Sequence, residues 1–200
     1  MDSNLIRVLD EIRAIAQTGL NYSKDDYELE RYNKLMDIVT REYTKVYDYN
    51  EEYLRKLFDR ELGSITPKVG VNGIVLDEDH NVLLELRAID KKWGVIGGWS
   101  EVGESPQESL IREFKEETGL NIIVKDLIHI FTQRPGDYGY PVSSYHILYY
   151  CEVVDGVLKK SHESLELGYY DYEIIKNWHR DHREMIKTAM NYLKKHNVIE

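Results

Sequence analysis

The sequence has a single cysteine and no long apolar run, and each of these absences excludes a class of protein. Cys151 cannot form an internal disulfide, which is typical of a protein from a reducing cytoplasm. No stretch of about eighteen apolar residues occurs, so no membrane-spanning helix is predicted. The opening residues Met1 to Asn4 lack the basic and apolar segments of a secretory signal. We therefore expect a cytoplasmic protein with no membrane partner.

Positive charge is also scarce. There are 26 Lys and Arg residues against 36 Asp and Glu residues, a formal net charge of −10. General binding to nucleic acid needs a basic surface, so nucleic acid is not expected as a partner. A phosphate-bearing substrate would need local positive charge, which a bound divalent cation supplies.

Neither glycine nor proline occurs between Asn21 and Glu61, which favours long helices. Apolar residues recur at helical spacing through residues 1–63, and we expect a small all-helical N-terminal domain there. Gly19 is expected to end the first helix, Ser23 to begin the second, and Leu62 to lie near the end of the third. Residues 64–68 are interpreted as a linker.

The pattern changes in residues 69–200, where apolar strands alternate with two helices. This interleaving predicts the α/β fold class, with a sheet packed between helices. Asp155 and Gly156 form a hairpin turn signal. The predicted helices are Pro106–Thr118 and Trp178–Lys195, and the predicted strands are 69–76, 82–86, 93–96, 122–131, 145–154 and 169–172.

The first of these two helices has clear boundary signals. Ser105 is a good N-cap, Pro106 suits the first helical position, and Glu108 completes a capping box. Gly119 is a good C-terminal stop. The sequence therefore predicts a helix of about three turns.

Glu113, Glu116 and Glu117 lie at positions i, i+3 and i+4 of this helix and share one face. Like charges at this spacing repel one another and weaken an isolated helix. A hard cation such as Mg²⁺, which takes oxygen ligands, would compensate the repulsion. A solvated acidic face is the alternative interpretation of these three residues alone.

The residues around the carboxylates add to the pattern. Gly97 and Gly98 precede the helix, and Glu104 and Arg112 are spaced so that they can pair. The whole stretch resembles the Nudix box, G-x5-E-x7-R-E-U-x-E-E-x-G-U, in which U is a bulky apolar residue. Every position is filled, by Gly98, Glu104, Arg112, Glu113, Phe114, Glu116, Glu117, Gly119 and Leu120.

The resemblance implies an α/β/α sandwich with a mixed sheet and a set of site residues. It implies metal ligands at Glu113, Glu116 and Glu117, which are also the expected catalytic residues, with a carbonyl of Gly98 or Gly97 assisting. The expected cofactor is Mg²⁺, for which Mn²⁺ can substitute. Arg112 and Glu104 would have structural roles.

In this family a glutamate from a later loop often acts as the general base. Glu163 and Glu166 are the candidates, and Glu166 is the residue we assign. Two solvated loop acids are the alternative. One departure from the family pattern is that Ile96 stands where many members have proline.

The N-terminal helices resemble those of a bacterial Nudix subgroup. The similar segments are residues 12–20 and 26–32. The subgroup includes CDP-choline pyrophosphatases and proteins labelled ADP-ribose pyrophosphatase. The resemblance implies a homodimer, and packing of these helices onto the domain of residues 69–200 is the alternative.

Substrate choice must depend on residues outside the box. Residues 132–141 form a turn-rich loop in which Arg134 could bind a phosphate and Tyr138 or Tyr140 could stack on a base. A plain surface loop is the alternative. His179 and His182 lack a third ligand and are interpreted as surface residues.

The expected function is magnesium-dependent hydrolysis of the diphosphate linkage in a nucleoside diphosphate derivative. CDP-choline or ADP-ribose would yield a nucleoside monophosphate and a phosphorylated partner. Two other functions stay open: a non-catalytic sensor of nucleotide sugars, and a nuclease or RNA end-processing enzyme.

Overall fold

The computed structural model describes residues 3–47, 49–60 and 65–199. The chain divides into two compact units. One comprises Met1–Lys68 together with Gln133–Ser144, and the other comprises Val69–Thr132 together with Tyr145–Glu200. Within the described residues, no helix is both long enough and apolar enough to span a bilayer.

The first unit is built from three helices, α1 (Ser3–Tyr22), α2 (Asp26–Val46) and α3 (Glu51–Asp59). Asp25 caps α2 and Asn50 caps α3, each accepting a backbone N–H three residues on. Arg13 is buried, with its guanidinium over the Phe58 ring and paired with Asp10. The core of the unit consists of Ile6, Leu9, Ala16, Met36, Val39, Tyr43, Tyr47, Leu54 and Phe58.

Two helix boundaries in this unit were predicted wrongly. Gly19 does not end α1, which continues to Tyr22, and a Cβ at residue 19 would lie 2.4 Å from the Tyr32 ring. The glycine therefore permits close packing between α1 and α2 and lies within α1. Asp25 is the cap of α2, while the Ser23 hydroxyl donates to the Glu28 carboxylate at 2.6 Å. The predicted end near Leu62 lies outside the described residues.

The segment Gln133–Ser144 belongs to this helical unit, although the sequence analysis included it in the domain of residues 69–200. Ser143 contacts the carboxylate of Asp10 at 3.5 Å. Gly136 has φ +92°, and a Cβ there would meet Ile6 at 2.9 Å. A later segment of the chain therefore packs with the N-terminal helices, and the linker at residues 64–68 stays a prediction.

The second unit contains a mixed six-stranded sheet and two helices, α4 (Pro106–Thr118) and α5 (His182–Lys195). The strand order is β4-β5-β1-β3-β2-β6. Strand β3 is antiparallel to both β1 and β2, and β6 is antiparallel to β2. The strands are β1 (Lys68–Ile74), β2 (Val82–Arg87), β3 (Trp93–Trp99), β4 (Leu120–Gln133), β5 (Ser144–Gly156) and β6 (Ser164–Tyr170).

The two helices cover opposite faces of the sheet. Leu83 and Ile96 pack in one cluster with Leu110 and Phe114 of α4. Leu84 and Val95 pack in the other cluster, with Met185, Ile186 and Ala189 of α5. Because consecutive strand residues point to opposite faces, α4 and α5 sandwich the sheet, which confirms the predicted α/β/α architecture.

Two connections differ from the prediction. No hairpin forms at Asp155-Gly156, because the following residues return along the end of α4, where Lys159 N–H donates to the Thr118 carbonyl at 2.9 Å. Helix α5 begins at His182 rather than near residue 178. The preceding backbone instead pairs with Trp93, to whose carbonyl His179 N–H donates at 2.8 Å.

Candidate active site

Helix α4 has the boundaries that its sequence predicts. Ser105 accepts from the Glu108 N–H, and the Glu108 carboxylate accepts from the Ser105 N–H at 2.8 Å. Pro106 is the first helical residue, and Gly119 ends the helix with φ +73°. These local interactions fix which face of α4 carries the glutamates.

A cavity of about 640 Å³ lies beside this face. Glu113, Glu116 and Glu117 of α4 line it, together with Gly97 and Gly98 of β3. The structure therefore brings together the five residues predicted to hold a metal.

The glycines allow the carboxylates to approach the strand closely. A Cβ on Gly98 would lie 2.5 Å from Oε1 of Glu113. The Gly97 N–H donates to Oε2 of Glu117 at 3.3 Å. Any side chain at residue 98 would therefore occupy the position of the Glu113 carboxylate.

The strand register also indicates which carbonyl faces the carboxylates. Ser100 N–H donates to the Val69 carbonyl at 2.9 Å, and Val71 is paired with Gly98 two residues further along. Hydrogen-bonded pairs alternate in an antiparallel ladder, so the polar backbone groups of Gly98 face β1. The N–H of Gly97 faces Glu117 instead, so Gly97 is a better candidate than Gly98 for a metal-binding carbonyl.

Arg112 joins the loop to the carboxylates. Its Nε donates to Glu104 at 3.0 Å, and its Nη1 donates to Glu113 at 3.0 Å and to Glu116 at 3.2 Å. Ser109 also donates to Glu104, at 2.7 Å. These contacts join the loop before α4 to the helix, as the predicted structural role of Arg112 and Glu104 requires.

Burial makes the carboxylates costly to ionise together. Burial, with the nearby Glu85 and Glu113 carboxylates, raises the pKa of Glu117 to about 8. Burial likewise raises the pKa of Glu113. Such a group favours a nearby cation, because positive charge stabilises the ionised forms.

The donor set therefore fits Mg²⁺, which prefers carboxylate and carbonyl oxygens. Among the residues that the structure describes, no three carboxylate, imidazole or thiol groups already converge on one point. Glu113 and Glu116 are instead engaged by Arg112. Their side chains would have to turn from the guanidinium toward a bound cation.

A second part of the cavity wall was missed by the sequence analysis. It contains Arg87, Asp90, His179, Arg180 and His182. His179 Nδ1 lies 2.5 Å from Asp90, and His182 Nδ1 accepts the N–H of Val95 at 3.1 Å.

The interpretation of His179 and His182 as surface residues is therefore wrong. His182 is buried and His179 is largely so, because the segment before α5 is paired with β3. Spacing along the chain contains no signal for this arrangement, which depends on contacts between distant segments.

A third part of the wall, also missed, consists of Asn72, Trp99 and His146. His146 lies on β5 and Asn72 on β1, so only the order of strands in the sheet brings them together. Nothing in the sequence near either residue indicates the pairing.

The predicted loop position of Glu166 is wrong. Glu166 lies within β6, opposite Leu86 of β2, and its side chain is exposed. Glu163, just before β6, lines the cavity. The strand begins earlier than predicted because Ser164 is anchored by a 2.6 Å hydrogen bond to the buried Glu85.

Arg134, Tyr138 and Tyr140 belong to the helical unit, within the segment Gln133–Ser144. Arg134 and Tyr138 are exposed, and Tyr138 has φ +54°. Tyr140 is half-buried and lines a cavity of about 100 Å³ in that unit. Contact of these residues with substrate stays a prediction.

Comparison with known proteins gives two domain matches. A family described as "UDP-X-like, N-terminal oligomerisation domain" matches residues 3–58. The NUDIX domain matches residues 66–189, which is more than half of the chain.

Two relatives have names that refer to one substrate. A Bacillus subtilis protein, provisionally named as an ADP-ribose pyrophosphatase, is 36% identical over 72% of this chain and 70% of its own length. A protein of Methanocaldococcus jannaschii named ADP-ribose pyrophosphatase is 32% identical over 63% of this chain and 75% of its own length.

Among solved structures, a UDP-X diphosphatase has a similar fold. The match covers 97% of this chain and 96% of that chain, with a TM-score of 0.60 and 23% identity. With the intact glutamate-bearing helix, the glycine pair beside it and the domain match over residues 66–189, the chain belongs to the Nudix pyrophosphohydrolase family.

Proposed function

We propose that the chain hydrolyses the diphosphate linkage of a nucleoside diphosphate derivative in the presence of Mg²⁺. The products are a nucleoside monophosphate and a phosphorylated partner. The observation that supports this most directly is the placement of Glu113, Glu116 and Glu117 against the two glycines of β3, in one cavity.

These residues would act together as metal ligands. Glu113, Glu116 and Glu117, with the Gly97 carbonyl, would hold the cation. When bound, Mg²⁺ neutralises diphosphate oxygens, polarises phosphorus and lowers the pKa of an attacking water.

Arg112, held by Glu104, contacts Glu113 and Glu116 and balances their charge until they turn toward a cation. Arg87 and Arg180 bring positive charge to the cavity in a chain of net charge −10. These guanidinium groups would attract the anionic diphosphate.

We assign the general base to Glu163 rather than to Glu166. Glu163 lines the cavity, and its carbonyl accepts the Ala88 N–H at 2.7 Å, which anchors its backbone. Its carboxylate is 61% exposed, so a water molecule can reach it. Glu166 is exposed on a strand and does not belong to the cavity wall.

ADP-ribose and UDP-linked sugars are the favoured substrates. Two relatives are named for ADP-ribose, and the structural neighbour and the N-terminal family are named for UDP-X. CDP-choline, which the sequence resemblance implied, occurs in none of these names and ranks below them.

The activity is tested with ADP-ribose, UDP-sugars, CDP-choline and dinucleoside polyphosphates, each with Mg²⁺ or Mn²⁺. We expect a nucleoside monophosphate among the products of at least one compound. The double variant Glu116→Gln with Glu117→Gln should lose this activity. Absence of turnover for every compound would contradict the proposal and favour a binding protein.

The general base is tested by a matched pair of variants. Glu163→Gln should lower kcat roughly 10²- to 10⁴-fold, the usual contribution of a general base. Glu166→Gln, which removes the same charge from β6, should leave kcat unchanged. The reverse result would restore the assignment made from the sequence.

We also propose that the protein is a homodimer, because residues 3–58 match a domain described as an oligomerisation domain. Light scattering should give twice the chain mass of 23.6 kDa. A mass near one chain across a wide range of protein concentration would exclude the dimer.

A further inference from the structure

His146 is a buried side chain of the cavity wall that the proposed reaction does not use. It is 9% exposed and is surrounded by β1 and β3 residues. Its Nδ1 lies 3.3 Å from Oδ1 of Asn72, which is itself only 4% exposed. Its other nitrogen, Nε2, is buried and has no hydrogen-bond partner.

The Asn72 contact fixes the tautomer of the imidazole. With the Asn72 amide in this orientation its oxygen faces the ring and accepts a hydrogen bond, which assigns the proton to Nδ1. A neutral imidazole has one proton, and Nε2 is therefore an acceptor. Burial, with the positive charge of Arg180 and His179 nearby, lowers the pKa of His146 to about 4.

An unpaired buried acceptor costs stability unless a ligand or water satisfies it. Gly70 allows the ring to sit here, because a Cβ at that residue would lie 2.8 Å from Nδ1 of His146. Gly70 and Asn72 of β1 therefore determine where the His146 ring lies. A ligand that matches Nε2 must present an N–H or O–H group.

Trp99 supplies an aromatic surface beside this acceptor. Its ring centroid is 5.4 Å from that of His146, with a 53° angle between the planes. The side chain is 40% exposed and lines the same cavity as Glu113. Because Trp99 and the glutamates of α4 line one cavity, the aromatic surface is open to a substrate bound there.

We propose that Trp99 and His146 bind the nucleoside end of the substrate, with the nucleobase against the Trp99 ring and a base N–H donating to His146 Nε2. The inference rests on the proposed function, because it assigns one end of that substrate. A phosphate oxygen does not suit this position, since two acceptors cannot share a hydrogen bond.

A sugar hydroxyl could donate to the same nitrogen, so the experiment must separate base from sugar. The ¹⁵N shifts of the His146 ring are followed by NMR without metal, while AMP, UMP or ribose 5-phosphate is added. We expect AMP or UMP to move the Nε2 signal toward its hydrogen-bonded value and ribose 5-phosphate to leave it in place. An equal response to ribose 5-phosphate, or no response to any nucleotide, would overturn the assignment.

Kinetics provide the second test, on the nucleotide substrate that is turned over. His146→Phe and Trp99→Ala should each raise KM roughly ten- to hundredfold with little change in kcat. His146→Gln, which keeps an acceptor near Nε2, and Trp99→Phe, which keeps a ring, should recover most of the loss. Unchanged KM in both severe variants, with circular dichroism like wild type, would reject the subsite.

The matched control is Tyr145→Ala. Tyr145 precedes His146 on β5, points to the opposite face and is 42% exposed. The KM of the Tyr145→Ala variant should therefore match that of the wild type.

The outcomes that contradict this subsite differ from those that contradict the proposed reaction. Hydrolysis with no effect at His146 and Trp99 removes only the subsite, whereas nucleotide binding at His146 without any hydrolysis removes only the proposed reaction.

Discussion

At the scale of single residues, glycine at position 98 leaves room for the neighbouring Glu113 side chain. Its own backbone conformation does not call for glycine. The nearest atom to a Cβ at this position would be the Glu113 carboxylate oxygen, at 2.5 Å. We expect Gly98→Ala to displace Glu113 and to weaken Mg²⁺ binding roughly 10- to 100-fold, as changes beside metal ligands do. Isothermal titration calorimetry measures the affinity.

Gly103→Ala is the control for this substitution. Gly103 has φ +96°, but no atom lies within 4 Å of a Cβ there. Its alanine variant should lose about 1 kcal/mol of stability through backbone strain and keep its Mg²⁺ affinity. Equal loss of affinity in both variants would show that Glu113 is not the cause.

His146 provides a pH-dependent prediction at the same scale. Its pKa is lowered by burial from 6.5 to about 4, so the folded state binds its proton less readily than the unfolded state. The stability contribution is therefore complete above pH 6.5 and is lost as pH falls toward 4, up to about 3 kcal/mol.

His146→Gln should flatten this part of the stability profile, which urea unfolding between pH 7 and pH 4 measures. Glu117, whose pKa is raised, acts in the opposite direction in both proteins and cancels in the comparison. Parallel profiles for wild type and variant would contradict the burial of a neutral His146.

At the scale of elements, α4 shows how local signals position a site. The capping box between Ser105 and Glu108 is complete. Ser105→Ala should lower the free energy of unfolding by about 1 kcal/mol, because the Glu108 N–H loses its side-chain partner. The exposed neighbour Gln107 has no cap contact, and Gln107→Ala should have little effect in the same urea titration.

The ends of helices and strands could be predicted from the sequence only where the interactions that define them involve residues close together in the chain. Helix α4 was predicted to the residue because its cap, its proline and the glycine that ends it all lie within or directly beside it. The start of α5 was not, because residues 177–179 exchange hydrogen bonds with Trp93, more than 80 positions earlier. The failed hairpin at Asp155-Gly156 has the same cause, since the end of α4 holds the following residues.

At the scale of the whole molecule, the net charge of −10 makes cation binding favourable for stability. We expect Mg²⁺ at one hundred times its Kd to raise the free energy of unfolding by about 2.7 kcal/mol. Trp93, Trp99 and Trp178 all lie in the second unit, so tryptophan fluorescence follows the unit that contains the site. A triple variant should show only the small rise in the free energy of unfolding that NaCl of equal ionic strength produces. Its substitutions are Glu113→Gln, Glu116→Gln and Glu117→Gln.

The sequence by itself determined the family, the fold class and the helix that presents the three glutamates. These depend on short-range spacing, because residues three and four apart share a helix face whatever surrounds them. Only the tertiary structure decided that Glu163 rather than Glu166 faces the cavity, and that Asn72, Trp99 and His146 meet. Strand order and register bring together residues far apart in the chain, and no local pattern contains that information.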